Sequence, residues 1–131
     1  MPGFLARQSG EAPPGSAKPV MFVTLFGIAP EQQAEILQII LAKFNARFRI
    51  VFCVTTDDFS AFLRHEVAFE TFPSVDQQHA HSDLMDWPSY LAGKWALVVG
   101  KWKPAKILAY GMNFDRYLEA SRVAAETSHP L

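Results

Sequence analysis

Short apolar runs alternate with amphipathic segments of helical period along most of this chain, and this alternation restricts its possible folds more than any other feature. The apolar runs cover residues 20–26, 50–54, 67–72 and 105–110. Segments with helical spacing follow them, beginning near Pro30, near Asp57 or Asp58, at Ser89 and after Asn113. Strands that alternate with helices predict a parallel sheet with right-handed crossovers and helices on both faces.

The first two runs are almost entirely apolar, which is typical of strands buried on both faces of a parallel sheet. The third run alternates apolar and polar residues more clearly, which predicts an edge strand. We therefore expect an α/β fold, a small Rossmann-like three-layer domain of about four parallel strands in the order 3-2-1-4. Residues 73–89 are polar and interrupted by Pro73 and Pro88, and the sequence predicts a loop there.

The length of 131 residues fits one domain. Residues 1–19 are rich in Pro, Gly and Ser and predict a disordered tail, while residues 20–127 form the single domain. Half of the residues are apolar, which excludes disorder for that domain. Cys53 lies between Phe52 and Val54 and is expected to be a buried apolar side chain.

Twelve Lys and Arg residues against thirteen Asp and Glu residues leave a net charge of −1. This balance gives no electrostatic reason to bind nucleic acid or an anionic membrane. No apolar stretch approaches the roughly 18 residues of a membrane span, and the first residues lack the apolar segment of a signal peptide. The sequence therefore predicts a cytoplasmic protein with no nucleic-acid partner and no membrane span.

In open α/β sheets the ligand binds beyond the carboxyl ends of the strands, where the strand order reverses. In the order 3-2-1-4 that point lies between the first and fourth strands. The turns that meet there predict a small-molecule or sugar site formed by Gly27, Ile28, Thr55, Thr56, Asp57, Gly111, Met112 and Asn113. The alternative interpretation is that these Gly and Asn residues are ordinary turn and helix-cap residues.

Several familiar activities lack their motifs. The turn after the first strand has a lone Gly27 instead of G-x-G-x-x-G, and Pro30 removes an N–H donor from the following helix. Neither a P-loop nor the G-x-S-x-G of hydrolases occurs. We therefore predict no cofactor, and the sequence does not identify a catalytic residue.

The segment His79-Ala80-His81-Ser82-Asp83 resembles the metal-binding loop of metallo-β-lactamase-like hydrolases. Leu84 stands where that motif continues with a further His, and no second cluster of ligands follows. The sequence therefore predicts surface histidines and no metal site.

Residues 20–115 resemble the N-terminal half of a GT-B glycosyltransferase. The resemblance rests on residues 50–57, an apolar strand that ends in Thr-Thr-Asp, on residues 69–73, which end at Pro73, and on residues 103–111, which read Lys-Pro-x-x-apolar and end at Gly111. The family's first turn is usually glycine-rich and followed by a His that is often the general base, whereas here it reads Gly27-Ile28-Ala29-Pro30. The resemblance therefore implies an acceptor-side half without its base.

Three functions follow as alternatives. The first is a binding or accessory module that uses the crevice at the strand ends. The second, implied by the resemblance, is a glycosyltransferase subunit that acts only with a partner supplying the donor domain. The third is a structural protein that forms a homodimer through the exposed edges of a small sheet.

Overall fold

The computed structural model describes residues 18–127. Strands β1 (Val20–Leu25), β2 (Arg49–Val54), β3 (Ala68–Thr71) and β4 (Lys106–Ala109) form one parallel sheet in the order β3-β2-β1-β4. The predicted α/β class and strand order are confirmed. The sheet order places β1 and β2 in the centre and makes β3 an edge strand, as expected from its alternating sequence.

Five helices cover the two faces of this sheet. They are α1 (Pro30–Phe44), α2 (Ser60–Arg64), α3 (Val75–Ala80), α4 (Trp87–Trp102) and α5 (Phe114–Thr127). Helices α1 and α2 pack on one face, and α4 and α5 pack on the other. The predicted three-layer arrangement is therefore present.

The two faces of the sheet have different cores because alternate residues of β1 and β2 point to opposite sides. Met21 and Val23 face α1, where Leu37 and Ile40 complete a largely aliphatic core. Phe22 and Phe26 face α4 and α5 in an aromatic core, in which Phe26 stacks on Tyr117 at a ring distance of 4.5 Å. Cys53 is fully buried in this second core, as the sequence predicts.

Helix α3 corrects the prediction of a loop over residues 73–89. Ser74 caps the helix through a capping box: its hydroxyl accepts from the Gln77 N–H at 3.1 Å, and the Gln77 side chain accepts from the Ser74 N–H at 2.9 Å. Helix α4 also begins earlier than expected, at Trp87, because Pro88 occupies its first turn instead of interrupting it. A Pro in the first turn loses no helical hydrogen bond, so it starts this helix.

Most of the predicted tail lies outside the described residues. Its last two residues contact the domain: the Lys18 ammonium donates to the Asn45 carbonyl at 2.8 Å, and the Arg49 N–H donates to the Pro19 carbonyl at 2.9 Å. Across residues 18–127, none of the helices combines the length and apolarity needed to cross a membrane.

Candidate functional site

A cavity of about 390 Å³ opens at the carboxyl edge of the sheet. The turn after β1 and the turn after β2 form two of its walls, helix α3 forms a third, and α5 contributes one aromatic side chain. Its lining residues are Gly27, Ile28, Pro30, Thr55, Thr56, Asp57, Ser74, Val75, Asp76, Gln77, Met112 and Tyr117. The cavity therefore lies at the predicted edge, but toward β2 and α3 and away from the predicted gap between β1 and β4.

The turn after β1 is shaped by Gly27, whose φ of +81° is a left-handed conformation that favours glycine. The Gly27 N–H donates to the Thr55 hydroxyl at 3.0 Å, so this bond ties the β1 turn to the β2 turn. A methyl group at Gly27 would lie 3.2 Å from the end of the Met112 side chain. The backbone at this wall is therefore held in place by a polar contact between neighbouring turns.

The predicted gap between β1 and β4 is closed by backbone contacts. Met112 pairs with Phe26 in an isolated antiparallel bridge, and its N–H donates to the Phe26 carbonyl at 3.1 Å. A Cβ at Gly111 would clash with the Phe26 carbonyl oxygen and lie 3.0 Å from Ile28 Cγ1. Gly111 is therefore required for close packing, and it does not line the cavity.

Asn113 caps helix α5, since its side-chain oxygen accepts from the Arg116 N–H at 2.9 Å. It does not line the cavity either. The structure therefore shows Gly111 as a turn residue and Asn113 as a helix-cap residue, which is the alternative interpretation of these two positions. The other six predicted residues all line the cavity: Gly27, Ile28, Thr55, Thr56, Asp57 and Met112.

A buried polar network supports the wall formed by α3. The Tyr117 hydroxyl donates to the Pro73 carbonyl and accepts from the Gln78 amide at 3.2 Å. The same amide donates to the Pro73 carbonyl at 3.0 Å, and the Ser121 hydroxyl donates to the Gln78 side-chain oxygen. Burial raises the pKa of Tyr117, so its hydroxyl stays protonated and remains a donor.

The charged side chains that line the cavity are both acidic. Asp57 follows β2 and Asp76 lies in the first turn of α3, and both are exposed to solvent. Neighbouring Asp58 is outside the cavity, and hydrogen bonds from Ser60 lower the pKa of its carboxyl group. Among the described residues that line the cavity there is no Lys, Arg or His. The site therefore offers hydrogen-bond acceptors and hydroxyls to a ligand.

The Cys53 thiol is not a candidate nucleophile. Burial raises its pKa to about 12, and Glu70 adds a smaller effect in the same direction. A thiol reacts as the thiolate, so Cys53 is unreactive in the folded protein near neutral pH.

The histidine segment contributes to a second cavity of about 380 Å³, which adjoins the end of α3. His79 and Asp83 line this cavity, whereas His81 does not; its carbonyl accepts from the Trp87 indole at 3.0 Å. Within residues 18–127, no three His, Cys, Asp or Glu side chains come together in a way that could hold a metal ion.

The sequence interpretation missed Pro30, Tyr117 and the residues of α3. The pattern Ser74-x-x-Gln77 was a readable helix-start signal for α3. No local signal placed Tyr117 at the cavity, since its spacing in α5 predicts only an apolar helix face. Its position depends on how α5 packs against α3.

No protein-family model, curated protein or solved structure matches this chain. The fold is therefore assigned from the sheet topology, and the candidate function from the chemistry of the cavity.

Proposed function

We propose that this domain is a binding module that holds a small, uncharged, hydroxyl-rich ligand such as a sugar in the cavity at the carboxyl edge. The observation that carries this proposal is the composition of the cavity wall. Asp57 and Asp76 are its charged groups, and hydroxyl and amide side chains from Thr56, Ser74 and Gln77 stand beside them.

Carboxylates and side-chain hydroxyls suit the chemistry of a sugar. An ionised carboxylate only accepts hydrogen bonds, so it pairs with the hydroxyl donors of a neutral sugar. A fully ionised phosphate group has no donor to offer such groups, and its charge would face two negative side chains. The cavity volume of about 390 Å³ also falls within the range of small-molecule sites.

The resemblance to the acceptor half of a GT-B glycosyltransferase agrees with a ligand of this class. The alternative of a glycosyltransferase subunit requires a sugar nucleotide, whose diphosphate needs cations or free N–H groups. Pro30 removes one of those N–H groups at the start of α1. A binding module is therefore the function proposed for the chain alone, and the alternative enzyme would need a partner subunit to hold the nucleotide.

Amide chemical shifts can test this proposal directly, because they locate even a weak ligand. We expect neutral methyl glycosides at millimolar concentration to shift the amide signals of Gly27, Thr56 and Gln77. Asp57→Asn combined with Asp76→Asn should weaken this binding roughly tenfold, since hydrogen bonds to charged groups contribute about 1.5–3 kcal/mol. Asp115→Asn is the matched control, because Asp115 lies in α5 outside the cavity.

Two results would contradict the proposal. If no glycoside shifts these signals, or if the shifts lie elsewhere, the cavity does not bind sugars. If a sugar nucleotide or a sugar phosphate binds more tightly than a neutral glycoside, the ligand is anionic and the proposal of an uncharged ligand is wrong.

A further inference from the structure

The cations of this chain collect at the edge of the sheet opposite the cavity. Parallel strands all begin at this amino edge, and α1 and α4 end there. Seven of the chain's twelve Lys and Arg residues lie at these strand starts and helix ends, and they define what we call the basic edge: Lys18, Lys43, Arg47, Arg49, Lys101, Lys103 and Lys106. The net charge of −1 therefore conceals a strong separation of charge.

Few acidic groups neutralise the basic edge. Glu70 accepts from the Lys101 ammonium and from the Trp102 indole, at 2.9 and 2.8 Å. Glu66, two residues after Arg64 in the sequence, lies before β3. The negative ends of the α1 and α4 dipoles offset part of the positive charge, each about half an elementary charge. Most of the positive charge at this edge is therefore available to a partner.

Aromatic side chains hold several of these cations in position. Lys43 and Arg47 lie over the Phe44 ring at 5.5 and 5.7 Å, and Arg49 and Lys101 lie over the Trp102 ring at 5.0 and 5.2 Å. Cations stacked on rings lose less side-chain entropy when they bind an anion.

Lys103 contributes its charge to the basic edge from a strained backbone conformation. It ends α4 with a φ of +50°, in the left-handed conformation where glycine is the usual residue. A non-glycine residue in this conformation costs roughly 1–2 kcal/mol. Glu66, which lies before β3, has the same conformation with a φ of +55°, so this strain is shared by a cation and an anion of the edge.

Exposed aliphatic side chains stand next to the cations and indicate the class of partner. Leu97 is 75% exposed one helical turn before Lys101, and Ile39 is 45% exposed one turn before Lys43. Ile107, 50% exposed, follows Lys106 directly. Aliphatic groups gain little from a nucleic-acid backbone, but they gain from the acyl boundary beneath anionic headgroups.

We propose that the basic edge docks this protein on an anionic lipid bilayer, with the cavity facing away from the membrane. This inference is independent of the ligand of the cavity. It also departs from the expectation based on net charge alone, because a bilayer interacts with the nearest charges and screening hides those beyond about 10 Å.

Co-sedimentation of the full chain with vesicles tests this docking. At low salt, we expect binding to vesicles of phosphatidylcholine mixed with phosphatidylglycerol and none to phosphatidylcholine alone. Lys43→Glu combined with Arg47→Glu should lower the affinity at least tenfold, because each cation near an anionic surface contributes about fivefold. Arg116→Glu combined with Arg122→Glu makes the same change in net charge away from the basic edge and should retain most of the binding.

A second pair of variants keeps the test decisive if the first pair fails to fold. Lys103→Gln combined with Lys106→Gln removes charge without reversing it, and circular dichroism verifies the fold of each variant. Absence of binding to anionic vesicles, or equal losses in the basic-edge and control variants, would overturn the proposal. Displacement of the protein from vesicles by duplex DNA at matched charge concentration would assign the basic edge to nucleic acid instead. Leu97→Ser combined with Ile107→Ser should weaken binding to vesicles and leave any binding to DNA unchanged.

Discussion

The two edges of one small sheet differ in charge, in backbone geometry and in shape. The carboxyl edge has a cavity lined by Asp57 and Asp76 and supported by a buried polar network. The basic edge carries cations stacked over Phe44 and Trp102. Helix dipoles favour this arrangement, since acids stabilise helix starts and bases stabilise helix ends. The same topology therefore separates the two kinds of surface and makes each available to a different partner.

The backbone constraints at the two edges differ as well. Gly27 and Gly111 are needed at the carboxyl edge, one for its positive φ and the other for its contact with the Phe26 carbonyl. At the basic edge the residues with positive φ are Glu66 and Lys103, and glycine would adopt this conformation with less strain at either position. Local backbone demands thus determine the sequence at Gly27 and Gly111, whereas charged residues occupy the left-handed positions at the basic edge.

The largest expected effect concerns Gly111. Gly111→Ala should lower the free energy of unfolding by about 3 kcal/mol, because the new methyl group clashes with backbone that cannot move easily. Gly27→Ala should cost only about 1–2 kcal/mol, since its neighbour is the flexible end of Met112. Urea unfolding measures both, and Gly100→Ala in α4, which has open space around it, should be neutral or slightly stabilising. Equal losses at Gly111 and Gly100 would remove the contrast between the two edges.

A smaller effect is expected at Tyr117. Tyr117→Phe removes the hydroxyl that donates to the Pro73 carbonyl, and it should lower the free energy of unfolding by about 2 kcal/mol. Hydrogen exchange should show faster opening of α3, whose Gln78 loses the same partner. Tyr110→Phe is the control, because Tyr110 is 43% exposed and should change neither quantity. An unchanged exchange rate in α3 would mean that the network does not support the cavity wall.

The smallest effect distinguishes charge from stability at the basic edge. Lys103→Gly should raise the free energy of unfolding by about 1 kcal/mol, because glycine adopts the left-handed conformation without strain. The same variant should bind anionic vesicles less tightly. A loss of stability in thermal unfolding would show that the Lys103 side chain stabilises the fold, which contradicts a cost in stability at this position.

Much of the fold could be predicted because its signals are local. The apolar runs in β1 and β2 are unbroken, and Pro30 and Asn113 stand at helix starts, where their backbone and side-chain chemistry is favourable. Helix α3 was not predicted from the sequence, although Ser74 and Gln77 have the spacing of a capping box, which predicts a helix start. Its six residues are too few to show a helical period, and contacts from Gln78 to Tyr117 and Pro73 support it.

The candidate site was predicted only in part. Gly27 and residues 55–57 line the cavity, because parallel strands bring their carboxyl ends to one edge, and their role in binding a ligand stays a prediction. Which gap along that edge stays open depends on tertiary contacts, here the bridge between Phe26 and Met112 that closes the gap between β1 and β4. Residues 75–77 and Tyr117 could not be placed at the cavity without the position of α3.

The sequence by itself determined the alternation of strands and helices, and the alternating pattern of the third run indicated that β3 is an edge strand. Burial periodicity and connection rules act over short stretches of chain, so they can be read without coordinates. Only the tertiary structure decided where the cavity opens and how the charges are divided between the two edges. Both depend on residues far apart in sequence, such as Arg49 and Trp102 or Tyr117 and Pro73, whose proximity exists only in the packed domain.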